Sequence, residues 1–165
     1  MKIGLMAALA ALLAWSGATL AGDAVQVKKV IAFAETAQVR KAVVDECELQ
    51  NKVPAFLAKF ARKSVSLVDG DLSATGRRLE MEIVSANASG GGAWSGAKSM
   101  TVEGKLYEGD TLIGDFVATR YSTGGVFAGF KGTCSIVGRC AKSIAKDISE
   151  WLQNPTKGAY LGDAN

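Results

Sequence analysis

Residues 78–121, RLEMEIVSANASGGGAWSGAKSMTVEGKLYEGDTLIGDFVATRY, decide the fold. Leu79, Met81 and Ile83 alternate with Glu80 and Glu82, the period-two mark of a strand with one dry and one wet face. Met100, Val102 and Leu106 then alternate with Thr101, Glu103 and Lys105 in a second strand. Glu108-Gly109-Asp110 supplies turn residues, with Gly109 free to take the positive φ of a tight connection, and Leu112 and Phe116 mark one side of a third strand. Three consecutive antiparallel strands, wet on one face, need a cover on the other.

Further along the chain, about Cys134 to Gln153 reads as a helix. Val137, Cys140, Ile144, Ile148 and Trp151 make its apolar stripe, while Lys142, Lys146, Asp147 and Glu150 lie off it. Thr133 or Ser135 is expected to cap its start and Asn154-Pro155 to stop it, leaving Thr156 to Asn165 as a loose polar end. Before the central stretch, Val25 to Ala34 reads as a strand from its Val/Ile/Phe content, and Thr36 to Glu46 is open between an edge strand and a helix start. Leu49, Val53, Phe56, Leu57 and Phe60 predict a helix beginning near Gln50–Val53, with Pro54 in a first turn that has no amide bond to lose. Val65 to Val68 is a short strand. The expectation is an α+β fold: a mostly antiparallel sheet of about five strands with two helices packed on one face.

The chain of 165 residues is one domain's worth, placed at 22–165. Met1 to about Ala21 reads as an export signal: Lys2 gives a positive start, Ile3 to Trp15 an apolar run, and Thr19 and Ala21 the small residues before a cut. No cysteine follows the apolar run, so a lipid anchor of the bacterial type is not expected. The expected product is soluble and periplasmic, with no membrane span once the signal is removed.

Nineteen basic and 16 acidic side chains are interspersed, and the longest basic runs are pairs such as Lys28-Lys29 and Arg77-Arg78. No nucleic-acid partner is therefore expected. Histidine is absent, which removes Ser-His and Cys-His nucleophile pairs and any His-ligated metal; no cofactor is expected. Carboxylates remain, in Asp45, Glu46 and Glu48 and in Asp69 and Asp71. A carboxylate pair can hydrolyse a glycosidic bond, and oxygens can hold calcium, but neither cluster has a recognisable ligand spacing. The chain is accordingly not read as an enzyme, and the alternative held open is a carboxylate-dependent hydrolase acting on envelope polymers.

Export makes Cys47, Cys134 and Cys140 candidates for one disulfide and one remaining thiol. Cys140 falls on the apolar stripe and passes as a small buried hydrophobe. Cys134 sits at the helix start and Cys47 just before the first helix, so Cys47–Cys134 is favoured and Cys47–Cys140 is the runner-up.

Two glycine-rich connections stand out, Ser89 to Lys98 and Ser122 to Gly132. The first nearly spells a phosphate-binding loop, but Ala97 is one residue too many between Gly96 and Lys98, and a strand follows where a helix must begin. The remaining functional reading is a contact surface, with Trp94 and Lys98 from the first connection and Phe127, Phe130 and Lys131 from the second. Another envelope protein is the expected partner.

The segments RLEMEIVSANASGGGAWSGAKSMTVEGKLYEGDTLIGDF and STGGVFAGFKGTCSIVGRCAKSIAKDISEWL resemble an uncharacterised family of exported proteobacterial proteins, similar in layout to DUF4410-type envelope proteins. The resemblance implies an α+β periplasmic domain and carries no site residues with it.

Overall fold

The structure is a computed structural model that describes residues 24–88, 96–123 and 132–164. Its elements are β1 (Val25–Lys28), β2 (Ala32–Val39), α1 (Lys41–Cys47), α2 (Leu49–Ala61), a 3-10 turn (Arg62–Ser64), β3 (Val65–Val68), β4 (Arg77–Asn87), β5 (Lys98–Glu108), β6 (Thr111–Ser122), α3 (Thr133–Trp151) and β7 (Ala159–Gly162). The β4–β5–β6 meander is antiparallel throughout, as its alternation predicts. Along the dry face, Leu79, Met81, Ile83, Met100, Val102, Leu106, Phe116 and Ala118 join Val53 and Leu57 of α2 and Val137, Ile144 and Ile148 of α3 in one core. Burial of that apolar area is the main force holding helices to sheet. Gly104 lies directly opposite Phe116 in the ladder. The ring lies over that glycine, where a Cβ would overlap it, and meets Trp151 edge-on with centroids 4.9 Å apart.

The α+β class stands, but the sheet is mixed and seven-stranded, in the order β3-β1-β4-β5-β6-β7 with β2 also lying along β4. The expectation of five mostly antiparallel strands and two helices is met only roughly. The extra pairings are parallel: β1 with β3 and β4, β2 with β4, and β7 with β6. Val25 to Ala34 is two strands because the chain leaves the ladder between them. The Lys29 amide donates to the Val68 carbonyl (3.0 Å), and buried Ile31 donates to the Gln50 carbonyl (3.1 Å).

That second bond also accounts for Pro54, which sits six residues into α2 and not in its first turn. A proline there withholds the amide that would bond the carbonyl four residues earlier. That carbonyl belongs to Gln50, and the Ile31 amide takes it instead. The open stretch Thr36 to Glu46 divides between β2 and α1, which buries Val43 and Cys47 one turn apart. Glu48, at φ 49°, separates α1 from α2, and this left-handed residue makes three helices where two are expected.

At α3 the cap is the backbone of Gly132, with no side-chain cap bond. Its carbonyl accepts the Ser135 amide (3.0 Å) and the Ile136 amide (3.3 Å), because Thr133 is already helical and cannot serve as the cap residue. The tail is not loose: it forms β7. Among the described residues, no helix is long and apolar enough to cross a membrane.

Candidate functional site

The ladder registers place three chain ends side by side. Asn87, the last residue of β4, pairs with Ser99, and Lys98, the first residue of β5, pairs with Ser122, the last of β6. Both glycine-rich connections therefore hang from neighbouring positions at one end of the sheet. The second runs on to α3, whose first turn is tied to the end of α1 by a disulfide between Cys47 and Cys134, Cα–Cα 4.9 Å. This is the favoured pairing, and Cys140 is a free, buried thiol. Trp94, Phe127, Phe130 and Lys131 lie outside the described residues, so the structure fixes the footings of the two connections and not the residues expected to make contact.

Lys98 is described, and it points inward. It is completely buried, the one buried charged residue among those described, because it shares the inward parity of Met100, Val102 and Leu106. Its backbone carbonyl lies 3.7 Å from the Cys140 sulfur, which donates to it. Lys98 thus belongs to the base of the first connection. Burial pushes the Cys140 thiol up to about 11, so it stays protonated and unreactive near neutrality.

The wet face carries an open groove of about 330 Å³, lined by Glu80, Glu82, Glu103, Lys105, Asp115 and Val117 among others. Glu80, Lys105 and Asp115 form one cross-strand row of alternating charge, whereas Glu82 and Glu103 face each other. Three of the five acids singled out from the sequence are met by lysines: Asp45 by Lys41 at 2.8 Å, Asp71 by Lys28 at 3.2 Å, and Asp69 by Lys29. These are exposed ion pairs, screened by solvent, and contribute little to stability. Among the described residues, no group of three Asp, Glu, Cys or His side chains is arranged to hold a metal ion.

Sequence reasoning missed a cluster on the dry side. Arg120 donates through Nε and Nη2 to both carboxylate oxygens of Asp147, each at 2.8 Å, and through Nη1 to Asp163 at 3.2 Å. The bond to Asp147 holds its guanidinium above the ordinary arginine value, against the opposing effect of burial. The available signal was parity: Arg120 shares the inward side of β6 with Gly114, Phe116 and Ala118, and an inward arginine needs a fixed acidic partner.

No family model matches the chain, and no curated protein does. Among solved structures, an uncharacterised protein aligns over 79% of this chain and 92% of its own at 13% identity, TM-score 0.51, a likeness of fold. A PelC dodecamer from Paraburkholderia phytofirmans aligns over 76% of this chain and 87% of its own at 13% identity, TM-score 0.43. A Xanthomonas campestris protein of the DUF330 family aligns over 78% of this chain and 83% of its own at 14% identity, TM-score 0.45. These two are too distant to inform this chain.

Proposed function

We propose that the chain is an exported, periplasmic accessory module that binds another envelope protein through the loop-bearing end of its sheet. The observation that carries this reading is adjacency. The first glycine-rich connection ends at Lys98 and the second begins at Ser122, its ladder partner, and a disulfide fixes the helix into which the second one runs. In this reading Trp94, Phe127 and Phe130 are the aromatic anchors and Lys131 supplies a charge. A disulfide also fits an oxidising compartment, in line with the signal-like start of the chain. Lys98 acts in this reading as footing for the first connection and not as a contact.

For the hydrolase alternative, three of the five clustered acids, Asp45, Asp69 and Asp71, are already occupied in exposed pairs with lysines. The test is affinity capture from a periplasmic extract with the native chain and with a Trp94→Ala, Phe127→Ala, Phe130→Ala variant. The native chain is expected to retain a partner that the variant loses at least tenfold. Equal recovery by both would refute the loop surface.

A further inference from the structure

The outer edge of β6 is covered by the C-terminal tail. In a strand, alternate residues turn both backbone groups to the same side, and for β6 the outward residues are Asp115, Val117, Thr119 and Tyr121. The Asp115 amide donates to the Thr156 carbonyl at 3.2 Å. Val117 and Thr119 pair with Tyr160 and Gly162 of β7, and the Asp163 amide donates to the Thr119 carbonyl at 2.8 Å. The Tyr121 amide then donates to the Asp163 carboxylate at 3.0 Å, where a side chain replaces the carbonyl of a longer strand. The same carboxylate also accepts from Nη1 of Arg120 at 3.2 Å. Between Asp115 and Tyr121, each outward position of β6 is thus engaged by the tail.

The cover is thinly buried compared with the meander: Tyr160 is 71% exposed and Gly162 is exposed, Ala159 and Leu161 are half-buried against the core, and Ala164 is buried. A segment so anchored opens at a low free energy compared with the core strands. Its departure would uncover the edge of β6 from Asp115 to Tyr121, the kind that pairs with another strand.

We propose that residues 155–164 are a detachable cover over a self-pairing edge, with Arg120 as its latch. The occupant when the cover lifts is β6 of a second copy, running antiparallel about a two-fold axis. In the register that sets Val117 against Thr119, Asp115 faces Tyr121 and Arg120 faces Phe116. No like charges are opposed, so the strand is compatible with its own copy. The outcome is one sheet continuous across two molecules.

Gly162→Val in the full chain lifts the cover. Gly162 has φ +71°, and a Cβ there would meet the Thr119 carbonyl oxygen at 2.5 Å and the Arg120 Nε at 2.6 Å. At high dilution, the Asp115–Tyr121 amides should exchange at least tenfold faster than in the native chain. In sedimentation velocity the dimer should form at least tenfold more tightly. Adding Thr119→Pro, which deletes one outward amide and is tolerated on an edge, should abolish that gain. Asp163→Ala, which leaves the β7 backbone intact, should shift association less in the same direction, and it decides the matter if Gly162→Val does not fold. Unchanged amide exchange, release without stronger association, or association that persists with Thr119→Pro would each overturn the proposal.

Discussion

Replacing Cys47 and Cys134 together by alanine tests the tie on which the loop-bearing end rests. The bridge spans a sequence separation of 87. The chain-entropy model gives about 4.6 kcal/mol for a closed loop of that length, acting through the unfolded state. The substitution also leaves a small void, since Cys47 is buried in the core. A loss of roughly 3–5 kcal/mol follows, and with an m-value of about 2 kcal/mol/M the urea midpoint should fall by about 2 M. Hydrogen exchange should show the loss most sharply in the first turn of α3, because the sulfur bridge and the Gly132 carbonyl together fasten that turn. The native chain, denatured without reductant, should titrate as one thiol. Three thiols, or a midpoint shift under about 0.5 M, would refute the reasoning.

Three further perturbations follow from the packing and the ion pairs. Gly104→Ala drives a Cβ into the Phe116 ring and should cost about 1–3 kcal/mol in urea unfolding, partly restored by Phe116→Leu; no loss would contradict the described contact. Asp147→Ala leaves the part-exposed Arg120 guanidinium with Asp163 alone and should cost about 1–2 kcal/mol, read as a lower thermal midpoint. Cys140 has its folded value raised from 9.0 to about 11, so its contribution is whole below pH 9 and is lost as pH rises towards 11. Native stability should drop by about 2–3 kcal/mol more than that of Cys140→Ala across this window, and parallel curves for the two chains would contradict the assignment.

The meander was legible because Leu79, Met81 and Ile83 alternate with acids, a pattern that only a half-buried strand explains. The terminal helix was equally plain from its stripe, and its observed span, Thr133–Trp151, differs from the reading by a residue or two. The remainder was set by partners distant in sequence. Nothing within AYLG announces β7, which exists because Thr119, Tyr121 and Arg120 offer bonds to residues over forty positions later. The break between β1 and β2 likewise depends on carbonyls of Val68 and Gln50. Lys98 and Arg120 are a different case. Their inward parity was present in the alternation itself, and that parity required a buried ammonium and a partnered guanidinium. Of the expected contact residues, Lys98 alone is described, and it lies buried at the base of the first connection.

A photoreactive side chain placed in turn at positions 94, 127 and 110 tests the proposed contact surface most directly. The first two belong to the glycine-rich connections, and Asp110 sits in the turn at the opposite end of the meander. Irradiated in the native compartment, the chain should form one discrete protein adduct from positions 94 and 127 and none from position 110. Adducts of equal yield from all three positions, or from position 110 alone, would contradict a binding surface at the loop-bearing end.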